Sequence, residues 1–113
     1  MKTVLFVLSQ SPGASDLNYQ YARMALAISA DAKPVVVLAA RAVMLAAADY
    51  RDTNKHIKYA DQERFLVEME VPFYAVEEDL ALHGVTGAIK PHVRAIGPDA
   101  LAQLVHGADV VFN

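Results

Sequence analysis

Three carboxylates stand side by side at Glu77, Glu78 and Asp79, directly behind an apolar run, and His83 follows one helical turn later. Groups of these types do acid–base chemistry, or hold a cation, when they converge on one point. With His92 they form a first set of candidates. Their spacing, broken by Gly84, Gly87 and Pro91, matches no metal-ligand pattern, so no metal site and no cofactor are expected. A second set is Ser9, Ser11 and Asp16, hydroxyls and a carboxylate in a turn-rich stretch that leads into a helix. Helix-start N–H groups beside such hydroxyls bind anions, but there is no Gly-x-Gly-x-x-Gly and no Gly-Lys-Ser/Thr to cradle a nucleotide. The same serines lack the Gly-x-Ser-x-Gly elbow of a hydrolase. His56 and His106 read as surface residues. A plainer role also fits the acidic triplet: acids in a first helical turn answer its unpaired N–H groups, at about 0.3–1 kcal/mol each.

The elements that must position these residues follow in order. Thr3–Leu8 is a continuous apolar strand, too short and without the small-residue cleavage site of a leader. Ser9–Asp16 is the loop after it, and Ser15 or Asp16 is placed to cap a helix running to about Ala30. In that helix Leu17, Tyr21, Met24 and Ile28 recur at helical spacing, with Asn18 and Arg23 pointing elsewhere. Val35–Leu38 is a second buried strand. Arg41–Ala48 is a helix former with almost no polar face, and a helix apolar all round must be buried all round. The sheet covers one side of it. Another subunit is expected on the other, with Arg41, Val43, Met44 and Ala47 as interface residues, unless the long following loop covers it. Tyr50–Ala60 reads as an exposed loop, the chain's most basic stretch.

From Asp61, Phe65, Leu66 and Met69 mark one helix face against Glu63, Arg64 and Glu68. Val71–Val76 is a strand buried on both faces, the acidic triplet opens a short helix, and Gly84 stops it. His92–Ile96 is a short strand. Pro98 stands at the start of a last helix with Leu101, Leu104 and Val105 inward, and Asp109–Asn113 is a final strand. Strands alternating with helices imply βαβ crossovers: an α/β fold, a three-layer α/β/α sandwich around a mainly parallel sheet of about five strands, its order open.

The 113 residues are expected to make one domain. Lys+Arg 10 against Asp+Glu 13 gives a net charge of −3, which argues against direct nucleic-acid binding. The longest apolar run, Pro34–Ala48, is broken by Arg41 and is shorter than the roughly 20 residues a membrane helix requires, so a soluble, cytoplasmic protein is expected. There is no cysteine, which removes disulfides, thiolate zinc sites and thiol catalysis together.

The pattern Tyr74-Ala75-Val76-Glu77-Glu78-Asp79-Leu80-Ala81-Leu82-His83-Gly84-Val85 resembles a segment of the DsrH (TusB) branch of the DsrE/DsrF/DsrH sulfur-relay family. Met1–Leu8 with Ser9–Pro12 is similar to that family's first strand and loop, and Asp99–Asn113 to its last helix and strand. The resemblance implies a DsrEFH-like fold and a homo- or hetero-oligomer, with DsrE-like and DsrF-like chains as partners. It also places Asp79 where the sulfur-carrying members have a cysteine. A persulfide forms by thiolate attack on sulfane sulfur, which neither carboxylate nor imidazole can replace. The implied role is a non-catalytic subunit of a relay that feeds tRNA thiolation or sulfur oxidation, with Glu78, Asp79 and His83 at a subunit contact or beside a partner's active cysteine. The competing expectation is a homo-oligomeric small-ligand binder that shares only the fold, with the Ser9–Asp16 loop and the acidic turn as two walls of one crevice.

Overall fold

In β1 (Thr3–Leu8), residues Val4, Phe6 and Leu8 pack to one side of the sheet and Leu5 and Val7 to the other. β2 (Lys33–Leu38) does the same with Val36 and Leu38 against Val35 and Val37. This alternation over continuous apolar runs is what a strand covered on both faces requires. The computed structural model describes residues 1–13, 15–52 and 58–113. Five parallel strands form one sheet in the order β4-β3-β2-β1-β5, with β3 at Phe73–Val76, β4 at Val93–Ile96 and β5 at Val110–Phe112.

Strands β1 to β4 step steadily in one direction, so right-handed crossovers put their connections on one face. There lie α1 (Leu17–Ile28) and α2 (Tyr59–Glu68), over a core that includes Phe6, Leu38, Leu66 and Phe73. The last connection returns from β4 at one edge to β5 at the other, and α4 (Pro98–Gly107) therefore crosses the opposite face, where Leu101 and Leu104 meet Leu5, Val37 and Val76. Three layers result. α3 (Glu77–Leu82) sits at the carboxyl end of β3. The rings of Phe6 and Phe112 stack at 5.1 Å, tying the last strand to the first.

Several element readings are corrected. Arg41–Ala48 is not an α-helix: Ala40–Ala46 is a 3₁₀ helix, η1, with Ala42, Val43, Leu45 and Ala46 buried within this same chain. Val43 is 0% exposed and has no surface to give a partner, whereas Arg41 and Met44 are exposed. In α1 the buried residues are Asn18, Ala22 and Ala25, while Met24 is exposed. Alanine carries too little apolar weight to reveal a buried face, so the larger Met24 misleads. The loop ends sooner than expected, since Tyr59 and Ala60 already belong to α2 and Tyr59 is buried. That shifts the inner face of α2 to Tyr59, Glu63 and Leu66, leaving Phe65 and Met69 exposed. In α4 Val105 is exposed and no residue is buried. Residues 53–57, His56 among them, lie outside the described residues.

Candidate functional site

β3 delivers the chain to the carboxyl edge of the sheet, the edge at which parallel α/β proteins usually bind and react. α3 starts at once. Glu77, Glu78 and Asp79 fill its first turn, and it ends where Gly84 turns left-handed at φ 74°. The N–H of Val85 donates to Leu80 O (2.8 Å) and that of Gly84 to Ala81 O (3.3 Å), the paired bonds of a Schellman end.

Asp79 is tied to the neighbouring loop. Its Oδ2 accepts from the Ala40 N–H at 2.7 Å, and Ala40 is left-handed at φ 49°. An alanine there costs about 1–2 kcal/mol, and the charge-assisted bond offsets a similar amount. The carboxylate therefore fixes the turn from β2 into η1. Glu78 is exposed. Glu77 reaches over Gly97, where a side-chain methyl would stand 3.7 Å from its Oε1.

His83 lies at the end of α3, half-buried, against a cleft of about 540 Å³. One wall of the cleft is Met44 with Ala47–Tyr50, and the other is His83–Ala88. The walls are stitched together: Ala48 N–H donates to Ala88 O (3.0 Å) and Lys90 N–H to Ala46 O (2.8 Å). Ser9, Ser11, Asp16, Glu78 and Asp79 do not line it. β2 separates β1 from β3, and the β1 loop and acidic turn do not share this cleft. Asp16 accepts from Gln20 Nε2 at 3.4 Å, and Ser15 Oγ, not Asp16, takes the first helical N–H, that of Leu17. Ser9 and Ser11 are half-exposed beside Asn18, whose buried amide exchanges two hydrogen bonds with the backbone of Gln10.

Behind the cleft is a cluster that periodicity did not reveal. Glu63 is buried in α2 and accepts from Lys90 Nζ at 2.8 and 3.1 Å. His92 Nε2 lies 3.1 Å from Glu63 Oε2. The Lys90 ammonium stands 5.2 Å from the Tyr50 ring centroid and 5.7 Å from that of Tyr59. Tyr59 Oη has no hydrogen-bond partner among the described residues, and burial, then the Glu63 carboxylate, push its ionisation well above the usual tyrosine range. Tyr50 moves the same way through burial and its 3.0 Å hydrogen bond to Asp52. His83 and His92 are thus separated in role, one at the cleft and one in the ion cluster. Among the described residues no three His, Cys, Asp or Glu side chains converge as metal ligands. A misplaced α2 face hid Glu63. A carboxylate one turn after a tyrosine and one turn before a buried leucine was the signal available for it.

Fold and edge define an α/β domain with a parallel sheet and its loops gathered at one rim. No protein-family model matches the sequence, and no curated protein does. Among solved structures the chain is similar to the YchN protein from E. coli, at 19% identity and a TM-score of 0.86, over 99% of this chain and 98% of that one. At that identity the likeness shows the fold alone. No helix among the described residues is long and apolar enough to cross a membrane.

Proposed function

We propose that the chain is a cysteine-free, non-catalytic subunit of the DsrH (TusB) type in an oligomeric intracellular sulfur-relay complex, whose cysteine-bearing chains pass persulfide sulfur towards tRNA thiolation or sulfur oxidation. The observation that carries the reading is Asp79. It stands in the turn after β3, at the position the resemblance gives to the sulfur-carrying cysteine, and its carboxylate binds a backbone N–H of the neighbouring loop. A side chain occupied in that way orders the rim but holds no sulfur.

The contact surface that suits this role is the rim formed where η1 packs against α3. It exposes Arg41, Met44, Glu78 and Leu82, and Leu82, 76% exposed, is the apolar side chain it offers most fully to a partner. The test is native mass spectrometry of the chain alone and with DsrE-like and DsrF-like chains from the same source. A defined hetero-oligomer is expected, and Leu82→Arg should lower incorporation by at least about tenfold, the effect of about 1.4 kcal/mol, without moving the thermal midpoint of the isolated chain. A stable homo-oligomer that ignores both chains would sink the proposal.

A further inference from the structure

The geometry points to the cleft between the 47–50 segment and the 83–88 loop as a binding site for a small organic anion, a carboxylate carried on an apolar or aromatic body. The inference stands whether or not the chain enters a relay complex. At about 540 Å³ the cleft is of the size that takes small molecules, and it opens at the carboxyl rim of a parallel sheet. Its walls are preorganised by the two cross-wall backbone bonds and by Lys90, which anchors the base of the 83–88 loop to Glu63 of α2. A site built that way loses little on ordering when a ligand enters.

The lining is rich in hydrogen-bond donors. The N–H groups of Thr86, Gly87 and Ala88 have no acceptor among the described residues, whereas those of Val85 and Lys90 on either side are engaged. Exposed amides without an internal acceptor are donors that a carboxylate can take. The Thr86 hydroxyl and the His83 imidazole add donors. Among the described residues nothing lies within 4 Å of where a side chain would project from Gly84 or Gly87, so a ligand can approach the backbone itself. Arg51, exposed next to the cleft, donates from Nη1 to Tyr50 O at 2.8 Å. The tyrosine ring of the lining, Tyr50, already holds the Lys90 ammonium, and a second cation on it would meet like charge. Among the described residues the single opposing group of the lining is the exposed Asp49, and Met44, Ala47 and Val85 supply the apolar surface.

Amide-resolved NMR titration of the whole chain with benzoate and with benzylamine decides the matter. Saturable shifts centred on Thr86, Gly87 and Ala88 are expected with benzoate and none with benzylamine. Asp49→Asn should tighten benzoate about threefold to fivefold, the scale of one exposed charge in water. Ala48→Trp, which fills the cleft, should weaken it at least about tenfold, the loss of a well-formed contact. The proposal is overturned if benzylamine moves the same amides, if benzoate leaves them unmoved or moves them without saturation, or if Asp49→Asn weakens benzoate.

Discussion

Glu70 holds a left-handed backbone, φ 61°, in the turn after α2, where Val71 N–H donates to Leu66 O and Glu70 N–H to Val67 O, each at 3.0 Å. α3 ends with the same pair of bonds on Gly84. Glycine takes that conformation freely and glutamate does not. Glu70 is exposed, so its replacement disturbs no packing. Glu70→Gly should therefore raise stability by about 0.5–1 kcal/mol, the relief of the left-handed strain less the extra freedom glycine has when unfolded. A rise in the denaturation midpoint at unchanged slope checks it, and a fall would mean that the Glu70 side chain holds something. The end of α3 was legible in the sequence because Gly84 announces it. The end of α2 was not, since any residue can be forced into that turn once Leu66 and Val71 are buried on either side of it.

α2 shows what happens when a helix is read by its largest apolar residues. Phe65, Leu66 and Met69 suggested the inner face, but of these Leu66 alone is buried, and with Tyr59 it carries Glu63 in. A buried carboxylate persists only if paired, and its partners Lys90 and His92 lie 27 and 29 residues on, beyond the reach of any local pattern. Lys90→Met should cost about 3–5 kcal/mol, because it strips the main partner from a buried charge. Glu63→Leu alone should cost a similar amount. The double variant should cost less than the two added together, by about 1–3 kcal/mol, since no lone charge then remains. Denaturant titrations of the four proteins measure this, and simple additivity would mean the pair is solvated in solution. The same cluster sets the alkaline limit of the fold. Tyr59 ionises well above the usual range in the folded chain, so above a pH of about 10 the unfolded chain loses a proton that the folded one keeps. Stability is unaffected by this group below that pH and falls above it, by up to about 1.4 kcal/mol per pH unit. Ultraviolet titration should show Tyr59 ionising only as the chain unfolds, and its ionisation in the intact fold would contradict the burial.

Taken as a whole, the sheet is covered unequally. The face under α1 and α2 contains Phe6, Leu38, Leu66 and Phe73, all nearly or fully inaccessible, while among the described residues the other face is crossed by α4 alone, which has no buried residue of its own. The alternation of strands and helices was enough to read a parallel α/β sandwich from the sequence. This imbalance was not legible, because it follows from strand order: with β1 to β4 stepping one way, all but the last connection must fall on one side. Helical periodicity in α4 reported Leu101 and Leu104 facing the sheet, as they do, but could not report how little surrounds them. Regions with few buried contacts open most easily, at a fraction of the global free energy. Hydrogen exchange of the isolated chain should therefore show the amides of α4 at least about tenfold less protected than those of β1 and β2, a gap of about 1.4 kcal/mol or more. In an assembled complex, covering the α4 face would bring that protection up toward the strands, whereas covering the rim of η1 and α3 would leave α4 as it was. The exchange pattern thus distinguishes which face a partner takes, and a change confined to α4 would move the contact away from Leu82.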